Sequence, residues 1–134
     1  MKYFDLIYDE CLRINKILDS RYKSFSFLES SLYKIIYENE DHMLIFGYYP
    51  ERYEYGKSMF LKGLMIQTAN MNVESSLVQI VSFFKNDCKF FEEDKKKYSL
   101  DELLNYYDFY RLHYKNYPDW EFKYQKYLKE KYPW

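Results

Sequence analysis

Glycine is scarce in this chain. Three residues in 134, Gly47, Gly56 and Gly63, stand too far apart to form a glycine-rich loop around a phosphate. The run "YGKS" at 55–58 ends as such loops do, but Gly47 lies nine residues before Gly56, outside the required spacing. Histidine is scarcer still: His42 and His113 have no His, Cys or carboxylate at metal-ligand spacing, which argues against a zinc site. The two cysteines, Cys11 and Cys88, lie far apart and outside any CxxC pattern, each on an apolar helical stripe. They read as buried free thiols of a reducing cytosol, inert in the core, rather than as a disulfide or a nucleophile. Neither charge predominates, with 20 basic and 21 acidic side chains, so no overall field draws the chain to nucleic acid. No hydrophobic run reaches transmembrane length, and "MKYFDLIYDE" meets acids too early for a signal peptide. A cytoplasmic protein with no membrane partner is expected.

What the chain does have is material for a core. Hydrophobic residues make up 48% and charged residues 31%, the balance of a folded globule. A chain of this length buries roughly two-thirds of its unfolded surface without metal or disulfide staples. One domain, 1–134, is expected, with no internal repeat or linker. Eighteen tyrosines and eleven phenylalanines coexist with a single alanine, Ala69. An AT-rich coding sequence gives that pattern, so the position of the rings matters more than their number.

Along the chain, Phe4, Ile7, Cys11, Ile14 and Leu18 recur at helical spacing over 3–19. The polar break "SRYKS" follows. "LYKIIYE" and "MLIFGYY", separated by "NEDH", predict a β-hairpin, with Pro50 ending its second strand. "RYEYGKSMF" reads as a third, edge strand. Leu61, Leu64, Met65 and Thr68 predict a short helix, which Gly63 weakens. Val73, Leu77, Ile80, Val81, Phe84 and Cys88 predict a longer one capped by Asn72. Ser99 and Glu102 have capping-box spacing ahead of Leu100, Leu103, Leu104, Tyr107 and Tyr110. Pro118 suits the first turn of a final helix, with Trp120, Tyr124, Tyr127 and Leu128 inward and Lys123, Lys126 and Lys129 outward. The expected class is α+β: a small antiparallel sheet of about three strands flanked by four to five helices.

The stretch "GYYPERYEYGKS" at 47–58 is the candidate functional surface. Tyrosine offers a rigid ring with a polar tip, arginine pairs bidentately with carboxylates, and both are enriched at interface hot spots. Tyr48, Tyr49, Glu51, Arg52, Tyr53, Glu54 and Tyr55 are the candidate partner-binding residues. The competing reading puts the rings in the core and leaves the charges solvated. Glu51 with Glu54, or Glu38 with Glu40, would do acid–base chemistry only in a pocket that the sequence does not reveal. Lys95 to Lys97 and the lysines of the last helix, interleaved with tyrosine, suit a nucleic-acid platform, but Glu92, Glu93, Asp94, Glu121 and Glu130 dilute them.

The segments "HMLIFGYYPERYEYGKS" and "YPDWEFKYQKYLKEKYPW" resemble the immunity protein sixty-three family of bacterial polymorphic toxin systems. Glu51-Arg52 stands where that family has Glu-Arg-Gly, with Tyr53 replacing the glycine. Pro118, Asp119, Trp120, Leu128 and the aromatics around the final proline match its closing helix. A second departure is Lys96, Lys97 and Tyr98, which stand where the family has a basic pair followed by Phe. The resemblance implies a protein that binds and neutralises one cognate toxin of its own bacterium. It implies no catalytic residue, cofactor, metal or small-molecule substrate. The alternative is a small nucleic-acid-binding regulatory protein.

Overall fold

The computed structural model describes residues 2–22, 25–31, 33–50, 59–92 and 96–133; at 2–6, 49–50 and 59–60 the backbone alone is considered. The chain is α+β. Helix α1 (Lys2–Arg21) precedes strands β1 (Ser26–Ser30), β2 (Lys34–Glu38), β3 (His42–Pro50), β4 (Met59–Thr68) and β5 (Ser75–Ser76). Helices α2 (Leu77–Lys85), α3 (Leu100–His113) and α4 (Trp120–Lys131) follow. The strands form one antiparallel sheet in sequential order, β1-β2-β3-β4-β5. Among the described residues the sheet has five strands where about three were expected, and the four α-helices fall within the expected four to five.

The period-two alternation of β2 and β3 decides which face of the sheet is covered. Ile35 pairs with Phe46, Tyr37 with Leu44, Leu44 with Ile66 and Phe46 with Leu64, and all six side chains are buried. The helices cover this face. From α1, Cys11 and Asn15 receive the Tyr37 hydroxyl, and α3 meets β3 where Tyr107 bonds His42. Thr68 at the end of β4 bonds Glu121 of α4. Within the helical layer, Phe84 of α2 stacks on Tyr117 at 4.7 Å and meets Trp120 of α4 edge-on at 5.4 Å. Aromatic pairs of this kind add to the gain from burial itself.

Three expectations fail for identifiable reasons. Leu61–Thr68 is strand, not helix, because Leu64, Ile66 and Thr68 alternate onto the covered face and pair with β3. Short apolar runs fit both periods, and the adjacent hairpin decides between them. Helix α2 starts at Leu77, capped by the Ser76 hydroxyl, which accepts from the Gln79 N–H at 3.4 Å. Ser75 and Ser76 are held by β4, so Asn72 and Val73 precede the helix and Val73 is exposed. Pro118 precedes the cap Asp119, whose φ of 61° ends the approach to α4. The expected edge strand "RYEYGKSMF" lies outside the described residues except Met59 and Phe60, which open β4.

Candidate protein-binding surface

Tyr48 does not sit on the surface expected of it. It continues the Leu44, Phe46 alternation and is 3% exposed, with its hydroxyl donating to Glu10 Oε2 of α1 at 2.7 Å. Arg13 holds the same carboxylate through Nε at 3.1 Å and Nη2 at 2.6 Å. Burial pushes the Glu10 carboxyl up, but the bonds from Arg13 and Tyr48 outweigh it and hold the group below its ordinary range. Burial first, and then Glu10, raise the Tyr48 phenol. Tyr48 therefore ties sheet to helix and drops out as an exposed contact. Tyr49 lies on β3 opposite Phe60. Glu51, Arg52, Tyr53, Glu54 and Tyr55 lie outside the described residues.

The groups that could carry chemistry are dispersed. Both cysteines are only half-buried, Cys11 on α1 and Cys88 three residues past the end of α2 rather than on its stripe, and burial still raises both thiols, so neither is primed as a thiolate. His42, expected in the hairpin turn, is the first residue of β3. Its Nε2 lies 2.7 Å from the Tyr107 hydroxyl, and the Phe25, Tyr107 and Tyr110 rings surround it edge-on or tilted. Burial pushes its imidazole down to about 4. His113 closes α3 against Phe109, with Nδ1 3.2 Å from the Asn116 amide. Among the described residues no group of three His, Cys, Asp or Glu side chains could hold a metal. No described helix is long and apolar enough to cross a membrane.

The chain matches no family model, no curated protein and no solved structure.

An exposed apolar surface lies instead at the opposite edge of the sheet. All five residues of β1 are exposed, Phe27 at 50% and Leu28 at 43%. Phe27 pairs with Tyr37 and meets its ring edge-on at 5.7 Å. Tyr37 in turn bonds the Cys11 carbonyl at 3.3 Å and the Asn15 side chain at 2.5 Å. That places the Tyr8 and Leu12 side of α1, next around the helix from Cys11 and Asn15, toward β1. Tyr8 is 64% and Leu12 51% exposed. Exposed Phe27 and Leu28 thus lie on the outermost strand, whose outer edge has no strand partner among the described residues, with exposed Tyr8 and Leu12 on the side of α1 turned toward it. A bulge between Phe27 and Glu29 breaks the ladder to β2. The other large exposed apolar side chains among the described residues, Tyr33, Val73, Phe90, Leu112, Phe122 and Tyr132, are spread over loops, α3 and α4. The sequence reading missed this surface because Phe27 and Leu28 are adjacent and show no alternation. Tyr8 and Leu12, one helical turn apart on the flank of the α1 stripe, were the available signal.

Proposed function

We propose that this chain is an immunity protein, which binds a cognate bacterial toxin in a tight one-to-one complex in the cytoplasm and so neutralises it. The observation that supports this reading best is the open outer edge of β1 beside Tyr8, Leu12, Phe27 and Leu28. An unpaired edge offers backbone hydrogen bonds to an incoming strand, and flanking apolar side chains supply the buried area that makes such pairing specific. The resemblance of 42–58 and 117–134 to immunity proteins supplies the class of partner. The dispersal of Cys11, Cys88, His42 and His113 suits a protein that acts by occupancy.

The test is co-expression with the product of the neighbouring gene. The wild-type chain rescues cells from that product and co-elutes with it. The double variant Phe27→Asp, Leu28→Asp keeps its melting temperature and loses rescue, because two hot-spot truncations cost an interface on the order of 4 kcal/mol or more. Failure of the wild type to rescue or to co-elute would end the proposal. The exposed lysines 123, 126 and 129 and the exposed Phe122 of α4 favour a second reading, binding to nucleic acid. A salt-dependent mobility shift of labelled RNA or DNA would select it.

A further inference from the structure

A groove of about 520 Å³, within the size range of small-molecule sites, is lined by residues of β2, β3, β4 and α2 together with Phe91, Lys96 and Tyr98. We infer that this groove binds a small anion carrying a flat ring. The inference stands apart from the immunity reading, since it concerns a different face and a different class of ligand.

The floor makes the first argument. Gly47 and Gly63 face each other across β3 and β4, flanked by Ile45 and Met65. A Cβ at Gly63 would meet no atom within 4 Å, and one at Gly47 would meet the Gly63 carbonyl only at 3.7 Å. Neither glycine has the positive φ that would demand it. A strand interior normally favours a side chain at such a position. What the glycine pair does here is keep a hollow open above the sheet.

Walls and rim define what fits. Tyr33, Phe91 and Tyr98 line the groove, with Phe91 held by stacking on Tyr127 and Tyr98 by an edge contact with Tyr106, an aromatic border that suits a flat apolar body. Three lysines line it, Lys34, Lys62 and Lys96, against one carboxylate, Glu74. Glu74 is taken by Lys34 at 3.0 Å, and Lys96 reaches Glu102 at 3.3 Å. Lys62, exposed at the bulge of β4, makes no ion pair among the described residues. The rim is therefore net positive, with Lys62 the uncommitted charge. Beyond the two residues that pair with β5, the outer edge of β4 at 61–64 has no strand partner among the described residues, and Lys62, Gly63 and Leu64 line the groove. An anion held by Lys62 thus places its ring against Tyr98 and Phe91 and its polar edge along this backbone. Other polar groups that line the groove are engaged locally: Ser76 caps α2, Ser82 donates to the Val78 carbonyl and Lys34 pairs with Glu74, so binding is all that the groove supports.

The probe is 1-anilinonaphthalene-8-sulfonate, a ring-bearing anion whose fluorescence rises on transfer to an apolar site. Its uncharged relative N-phenyl-1-naphthylamine isolates the role of charge. The expected result is saturable one-to-one binding of the sulfonate that shifts the Gly47 and Gly63 amide resonances. Gly63→Leu, which fills the hollow, should weaken it at least tenfold, and Lys62→Glu about fivefold, with unchanged thermal melts. The neutral analogue should bind at least fivefold more weakly. If Gly63→Leu does not fold, Lys62→Glu and the neutral analogue decide the matter. Non-saturable binding, equal affinity for the neutral analogue, or full affinity in folded Gly63→Leu or Lys62→Glu would overturn the assignment.

Discussion

Acidifying the protein below pH 6.5 protonates His42 in the unfolded chain well before the folded chain accepts that proton. The folded imidazole is pushed down to about 4, first by burial and then by the Arg111 guanidinium, with Asp41 pulling the other way. Arg111 lies over the Tyr107 ring, and Phe25, Tyr107 and Tyr110 fill the remaining space around the imidazole. Because the folded value lies below the unfolded one, the neutral histidine costs nothing above pH 6.5. Stability falls as the pH drops from there toward 4. Each pH unit in that window costs at most about 1.4 kcal/mol, so the whole excursion is bounded near 3 kcal/mol. The ring is only half-buried, and solvent screening reduces this to about 1–2 kcal/mol by pH 5. Urea denaturation from pH 7 to 4, on wild type and His42→Gln, reads the effect as a difference in slope. Glu10 adds acid sensitivity of the same sign. Its folded carboxyl is held below 4.5, so its contribution is lost only as the pH falls through and below that value. The interval from 6.5 to 5 therefore isolates the histidine. Parallel pH profiles for the two proteins, or a His42 resonance titrating near 6.5, would refute the argument.

Other outcomes follow from the same packing. Tyr48→Ala should cost about 3–5 kcal/mol in denaturant unfolding and Tyr48→Phe about 1–2, since the first empties a core site and the second removes only the bond to Glu10. A Tyr48→Ala variant as stable as wild type would take Tyr48 out of the core. Ser99→Ala should lower the melting temperature by a few degrees, because Ser99 Oγ accepts from the Glu102 N–H at 3.2 Å and its own N–H donates back at 3.1 Å. An unchanged melt would mean that the capping box contributes nothing. Burial raises both thiols, so iodoacetamide at neutral pH should label Cys11 and Cys88 slowly in the native protein and quickly in urea. Rapid native labelling would reopen thiol chemistry.

The sequence revealed elements wherever one period dominated. Helices α1 and α3, the β2–β3 hairpin and the inward Trp120, Tyr124 and Tyr127 of α4 all carry a single clear signal. Strand β4 was illegible because Leu61, Leu64, Met65 and Thr68 satisfy helical spacing while Leu64, Ile66 and Thr68 satisfy alternation. Only the neighbouring strand resolves that tie. Strand β1 was missed because it buries neither face, leaving no pattern to read. The inward turn of Tyr48 was legible in principle, since Leu44 and Phe46 fix the parity of β3 two residues at a time. The groove was not legible at all: it arises from two glycines sixteen positions apart that only strand register brings face to face.

Hydrogen–deuterium exchange on the complex with the neighbouring gene's product puts the docking claim to its most direct trial. The account predicts slowed exchange of the Ser26–Ser30 amides and of the α1 turn carrying Tyr8 and Leu12, with the α4 face unchanged. A stable complex that leaves β1 exchanging as fast as in the free protein would contradict it.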